Sequence, residues 1–324
     1  MIARRPLLRV AGLALAAPGL ARASAWPQRP VTLVIPFPPG GIVDTVGRLM
    51  ASRAQPLLGQ PVLVENRPGA GSALANAYVA QAKPDGYTVL AGGIGLAILP
   101  NLQPDLPPAD PRRAFLPVAQ TTTTAYVLHI HKALPVQSLP EFVAWARAQG
   151  PALNAATSGQ GTGPHLTWEL FRREAGLGGE VLHYRGGVPA ILDIQAGRAH
   201  FMWGTALEAI QAQRAGQTRP IAITSAARIP ALPETPTVSE SGWPGFEVNS
   251  WSGWYLPAGT PQPVAARLAE VLREVLAGPE LRATLTANGV EAAWAPAETL
   301  AATLEAETQR WGRLIRQAGI TATG

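Results

Sequence analysis

"VTLVIPFPPGGIVDTVGRLMASRAQPLL" (Val31 to Leu58) sets an apolar run, a Pro-Gly loop and a helical pattern in direct succession. Val31 to Phe37 is short and almost wholly apolar, which reads as a strand buried on both faces. Beyond the loop, Val46, Leu49, Met50, Leu57 and Leu58 recur at helical spacing. Between them stands Pro38-Pro39-Gly40-Gly41. Proline stiffens such a loop and has no donor, whereas glycine lets backbone N–H groups approach a ligand closely. The helix that follows presents unpaired N–H groups and the positive end of its dipole. The stretch therefore reads as a backbone cradle for a carboxylate or phosphate, with a plain strand-to-helix connection as the simpler alternative.

The same arrangement repeats outward. "PVLVENRPGAGS" is strand then Gly loop, with Ser72 placed to cap the helix "ALANAYVAQA", and "KPDGYTVLAGG" is a turn and a third strand. A second unit opens with the helix "SLPEFVAWARAQG", whose Ser138 and Glu141 have capping-box spacing. It continues through strand "ALNAAT", Gly loop "SGQGTG", helix "PHLTWELFRREA" and strand "EVLHYR". Helix "VPAILDIQAG", strand "AHFMWG", helix "ALEAIQAQRAG" and strand "RPIAITS" complete it. After a Pro-rich stretch, Arg228 to Phe246, come strand "WSGWYL", a helix with Thr260 as N-cap and Pro261 at N1, and a closing helix from about Pro296 to Ala318. Such alternation predicts an α/β fold of two lobes, each a mostly parallel sheet flanked by helices. The expected division is residues 26–122 with 250–324 in one lobe and 123–249 in the other, with crossovers near Thr121–Leu128 and Asn249–Tyr255.

Composition narrows the function. Residues 1–25 carry Arg4, Arg5 and Arg9, a short apolar run and Ala23-Ser24-Ala25, the form of an export signal with a peptidase site. "ARRPLLR" also resembles a twin-arginine signal; an Arg-rich general secretory signal is the other reading. Without Arg4, Arg5, Arg9 and Arg22, the 26 basic residues against 21 acidic ones leave a net charge of +1. The two lysines, Lys83 and Lys132, form no basic stripe, so nucleic acid is not an expected partner. The chain has no cysteine, which excludes disulfides and thiol chemistry.

Three Gly loops follow strands and precede helices: Pro38 to Gly41, Pro68 to Gly71 and Ser158 to Gly163. Ligands of open parallel sheets bind at that end of the strands. No P-loop or dinucleotide fingerprint occurs, so a carboxylate is favoured over a phosphate. Ser158 and Thr162 read as hydroxyl donors to a ligand, and His165 as a first-turn side chain facing it. A hydrolase using Ser158 and His165 is the competing reading, although no G-x-S-x-G elbow is present. His129 and His131 share a strand face, but without a third ligand no metal site is expected, nor any cofactor. Trp203, Trp251 and Trp254 stand near strand ends, where either core or cleft is open to them.

The runs "WPQRPVTLVIPFPPGGIVD", "GQPVLVENRPGAGS", "LNAATSGQGTGPHL", "HYRGGVPAILDIQAG" and "ALPETPTVSESGWPGF", in this order, resemble the substrate-binding proteins of tripartite tricarboxylate transporters, the Bug family. That resemblance spans almost the whole chain after residue 25. It implies a two-lobed periplasmic binding protein (type II-like), a monomer that closes over a small organic acid and docks on a membrane permease. A receptor reporting to a membrane signalling kinase would use the same pocket. Carried onto this chain, the resemblance implies ligand contacts at Phe37, Gly40, Gly41 and Asp44, with Gly69 and Ser72 beside them. From the second lobe it implies Ser158, Gly161, Thr162 and His165, bordered by the run Tyr184 to Gly187, Gly186 included. Two departures stand out. Gly92-Gly93-Ile94-Gly95-Leu96-Ala97 replaces a Gly-Thr-Ser-Gly-Thr-His pattern, and Trp203-Gly204 replaces Phe-Asp. With Gly93 and Trp203 lining the cleft, the far end of the ligand is expected to be apolar, as in an aromatic or branched-chain acid.

Overall fold

The computed structural model describes residues 26–321, so the expected export signal lies outside the described residues. The first half of the chain runs β1 (Val31–Ile35), α1 (Ile42–Leu58), β2 (Val62–Asn66), α2 (Ala73–Ala80), β3 (Thr88–Gly93), α3 (Gly95–Leu102) and α4 (Pro111–Ala114). Next come the long β4 (Phe115–His131), α5 (Leu139–Gln149), β5 (Asn154–Thr157), α6 (Gly163–Ala175), β6 (Glu180–His183) and α7 (Gly187–Gln195). The remainder is β7 (Phe201–Thr205), α8 (Ala206–Arg214), β8 (Thr218–Ile223), β9 (Asn249–Pro257), α9 (Gln262–Ala277), α10 (Pro279–Ala287), β10 (Val290–Pro296) and α11 (Ala297–Ala318).

The sheet is organised around β4. From Phe115 to Ala125 this strand pairs with β9, and β10 lies along its other edge between Ala119 and Thr124. From Tyr126 to Ile130 it pairs with β7, and from Val127 to His131 with β8. One half of the molecule thus has the strand order β2-β1-β3-β9-β4-β10 and the other β6-β5-β7-β4-β8. In the first, β1 to β4 point one way and β9 and β10 return; in the second only β4 runs against the others. The α/β fold is two-lobed, and one strand belongs to both lobes.

Strand alternation builds a core on each face. Val31, Leu33 and Ile35 pack with Met50 of α1 and Leu268 and Leu272 of α9, whereas Val34 faces the opposite cluster with Leu90 and Leu96. A strand covered on both sides has no polar face to show, which is why β1 reads as a continuous apolar run. Burying one such Leu contributes about 1.5–3 kcal/mol. In β7 the same alternation sends Phe201 and Trp203 toward α6 and Met202 toward α7.

Three local expectations change. Ser72 stands at the N-cap of α2 but has φ 105° and accepts no capping bond; its Oγ instead accepts from Asn76 Nδ2 at 3.2 Å. The N-cap of α9 is Pro261, while the Thr260 hydroxyl turns back to donate to the Pro257 carbonyl at 2.8 Å. At α5, Ser138 caps Glu141 N–H, but Glu141 reaches the Gln137 N–H instead of closing the box. Helix α3 has Leu96, Ala97, Ile98 and Leu99 all buried, so its sequence has no polar face to betray a helix.

Candidate functional site

A cleft of about 1100 Å³, open mouth included, lies where the loops after β1, β5 and β6 meet the end of β3, the middle of β4 at Tyr126 and the start of β9. On one side Pro38 to Val43 form the entry to α1. Gly40, at φ 88°, donates its N–H to Asp44 Oδ2 at 3.0 Å. Asp44 is buried, and its Oδ1 accepts from Arg48 Nε at 2.9 Å and Asn66 Nδ2 at 2.8 Å. Burial pushes its carboxyl up, but the bonds from Arg48, Gly40 and Asn66 outweigh that and hold it below the usual carboxylate range. Asn66 also donates to the Phe37 carbonyl at 3.0 Å, so one buried acid ties together both ends of the loop. Asp44 and Gly40 N–H are consumed in bracing. The N–H groups of Gly41, Ile42 and Val43, at the first turn of α1, have no intrahelical acceptor and border the cleft.

Facing this turn is the loop Ser158 to Gly163. Ser158, Thr162 and Gly163 line the cleft, together with Gly186 and Gly187 at the entry to α7. Thr162 Oγ1 donates to the Gly159 carbonyl at 2.6 Å and accepts from Ser158 Oγ at 3.4 Å. His165 does not line the cleft. Its ring is buried, its Nδ1 accepts the Gly161 N–H at 3.2 Å, and its other face meets His183 edge-on at 4.7 Å. Burial, with His183 and Arg172 nearby, lowers its pKa to about 3. Among the described residues no hydrogen bond joins Ser158 to His165, so the base a hydrolase needs is turned to the backbone instead.

Of the residues expected at the site, Phe37, Gly40, Gly41, Ser72, Gly93, Ser158, Thr162 and Gly186 border the cleft. Asp44, Gly161 and His165 lie behind it as braces. Gly69 lies outside, against Leu74. The Tyr184 hydroxyl donates to Asp193 Oδ2 at 2.6 Å, away from the opening. Trp203 is a correction: it is buried in the core, with its ring against Phe171 and Phe246. Trp251 takes the place at the cleft instead. The replaced stretch after β3 does line it, with Gly92, Gly93, Ile94, Gly95 and Leu96, although Ala97 is buried behind. A Cβ on Gly93 would lie 2.7 Å from the Trp251 carbonyl oxygen, so glycine is what lets β3 end so close to β9.

Residues unforeseen in the sequence complete the walls. Tyr126 comes from β4, Ser250 and Ser252 from β9, and Glu208 from the second lobe, while Arg185 lies within the border expected from Tyr184 to Gly187. The signal for Glu208 was available: Thr205-x-x-Glu208 is a capping box at a strand-to-helix junction on the binding side of the sheet. As for the paired histidines, His129 Nδ1 meets Thr218 Oγ1 at 3.1 Å and His131 Nδ1 accepts the Ala133 N–H at 3.2 Å.

Two lobes that close loops and helix N-termini around one polar-rimmed cleft define the class of periplasmic binding proteins. The family model described as tripartite tricarboxylate transporter family receptor matches residues 46–320, and the chain belongs to that family. It is 36% identical to a Pseudomonas sp. (strain P51) protein encoded between tcbD and tcbE, over 97% of this chain and 94% of the relative. The periplasmic binding protein BugD superposes with TM-score 0.86 at 31% identity, covering 91% of this chain and 99% of BugD. An R. palustris protein solved with adipate gives TM-score 0.88 at 33% identity, covering 92% and 99% of the two chains. Among the described residues no helix is long and apolar enough to cross a membrane, and no group of three His, Cys, Asp or Glu is placed to hold a metal.

Proposed function

We propose that this protein is a periplasmic solute receptor that captures a small organic carboxylate and delivers it to a tripartite-transporter permease. Residues 1–25 direct export, and the receptor works as a monomer. The first lobe is 26–122 with 250–324 and the second 123–249; the lobes hinge about β4 and β9 and shut on the ligand. The observation that carries this reading is the first turn of α1, whose unpaired N–H groups face the cleft from a loop braced by Asp44. One ligand carboxylate sits on that turn, where the helix dipole favours negative charge. Ser158 and Thr162 close over it from the second lobe. The body of the acid lies against Phe37, Ile94, Leu96 and Trp251, an apolar wall suited to an aromatic or branched chain.

The test is calorimetry and thermal shift against mono-, di- and tricarboxylates. A ligand at a hundredfold excess over its Kd stabilises the folded form by ~2.7 kcal/mol. Binding of an aromatic or aliphatic monoacid, unchanged after incubation, supports the reading. Tighter binding of citrate or aspartate than of any such monoacid refutes the apolar wall, and ligand turnover refutes the receptor.

A further inference from the structure

The loop that the second lobe brings to the cleft is held from behind by two histidines. His165 Nδ1 accepts the Gly161 N–H at 3.2 Å, so the neutral ring carries its proton on Nε2. The other half of the loop hangs on β5 and β6: Thr157 Oγ1 accepts the Gly159 N–H at 3.4 Å and meets His183 Nδ1 at 2.8 Å. Gly159 and Gly161 both have positive φ, 134° and 71°, and these two bonds fix that shape. The first lobe covers the apex of the same loop. A Cβ on Gly161 would lie 2.9 Å from Leu99 Cδ2 of α3, and the Gln160 carbonyl oxygen abuts Gly71. Parting the lobes strips that cover and lets water reach the Gly161 bond.

The groups facing His165 decide which charge state the closed loop accepts. On α6, Glu169 Oε1 lies 3.9 Å from Nε2, beyond a hydrogen bond, and Glu169 Oε2 is already paired with Arg172 Nη2 at 2.7 Å. Burial first, then His183 of β6 and Arg172, disfavour a positive charge on the ring. The first turn of α6, where His165 stands, adds the positive end of a helix dipole. Residues Ser158 to Gly163, with Leu99 and Leu102 of α3, bring no titratable group. A protonated Nδ1 would set one donor against another at the Gly161 N–H. The loop as it meets the first lobe fits the neutral ring alone.

We propose that His165 is a positioning residue that ties closure to pH: neutral, it shapes the second-lobe loop for the shut form; protonated, it lets the loop go and favours the open one. This rests on the receptor reading above. Ligand, which favours the shut form, then binds more weakly in acid and expels a proton as it binds.

Hexanoate, benzoate and adipate, all almost fully ionised at pH 6.5, serve as probes on the full chain. Affinity for the tightest of them should fall about fourfold between pH 7.5 and pH 6.0, the effect of one imidazole that titrates near 6.5 only when the lobes are apart. At pH 6.5 its binding should release about half a proton, read by calorimetry in buffers of different ionisation enthalpy. His165→Asn keeps an acceptor for the Gly161 N–H without a titrating group, and its affinity should change less than about 1.5-fold over the same interval. His165→Leu offers no acceptor and should bind at least about fivefold more weakly than His165→Asn at pH 7.5. Proton release is read on the unaltered chain and stands as a test even if a variant unfolds. Binding without proton release, an unchanged pH dependence in His165→Asn, or equal affinities of the two variants overturns the assignment and leaves the receptor reading intact. Failure of all three probes to bind at pH 7.5 would remove the receptor reading and this inference with it.

Discussion

Gly71 of the first lobe and Gln160 of the second meet so closely that a Cβ on Gly71 would lie 2.7 Å from the Gln160 carbonyl oxygen. Nearby, a Cβ on Gly186 would lie 3.6 Å from Pro38 Cγ, so the rims of the cleft touch at two points. Gly71→Ala would clash with the facing backbone, and at φ 63° it adds about 1 kcal/mol of local strain. Closure is the step that suffers. Ligand affinity should fall at least about tenfold, and small-angle scattering should find the variant more open than wild type at saturating carboxylate.

Asp44 supports the Pro38–Gly41 loop from behind. Asp44→Ala removes the shared charged acceptor of Gly40, Arg48 and Asn66, losing three hydrogen bonds at once. That costs roughly 1–3 kcal/mol of stability, and affinity should fall by about tenfold as the loop loses its brace. Chemical denaturation and calorimetry read the two effects separately. An affinity equal to wild type would show that the loop holds its shape without the acid.

Stability should decline with acid in a window set by the buried imidazoles. His129 and His165 have folded pKa values of about 3, both lowered first by burial. In the unfolded chain each titrates near 6.5. Below that value the unfolded state binds more protons, so the stability they contribute is full above about pH 6.5 and is lost as pH falls toward 3. Each group adds a slope of up to ~1.4 kcal/mol per pH unit. Glu169, raised by burial, works in the opposite sense, so the clean readout is a difference. His129→Gln should flatten the fall in melting temperature between pH 6.5 and pH 5 relative to wild type.

The apolar wall is testable at Leu96, which is buried and borders the cleft. Leu96→Thr places a hydroxyl among apolar neighbours and removes a methyl group from the ligand's surroundings. Affinity for an apolar acid should drop by about 1–3 kcal/mol, with less loss for a hydroxylated analogue of the same length. Equal loss for both would assign Leu96 to packing alone.

The Gly loops were legible because glycine and proline between an apolar run and a helical pattern have few structural uses. The strand, loop and helix entry around Gly41 could be read from composition and order. Which loop residues stay free was not legible: Gly40 looks like a donor to a ligand until Asp44, four residues on, is found to accept its N–H. Trp203 and Trp251 are equally placed near strand ends, and only the pairing of β7 and β9 decides which faces the core. The crossover expected near Thr121–Leu128 falls inside β4, whose 17 residues run on unbroken because partners far away in sequence on both sides hold it extended. Glu208 could have been read from the Thr205-x-x-Glu208 capping box, which puts it in the first turn of a helix at the binding end of β7.

A strand shared by two sheets makes the joint of this molecule a twisted ribbon instead of a slack tether. Its pairing slips between Pro117 and Ala119 and between Gln120 and Thr122 against β9, and again between Leu128 and His129 against β8. Such irregularities concentrate twist locally, and they lie on both sides of the stretch where β4 changes partners. Swinging the halves apart must wind or unwind that ribbon, so the joint stores elastic torque and has a preferred angle even when nothing is held.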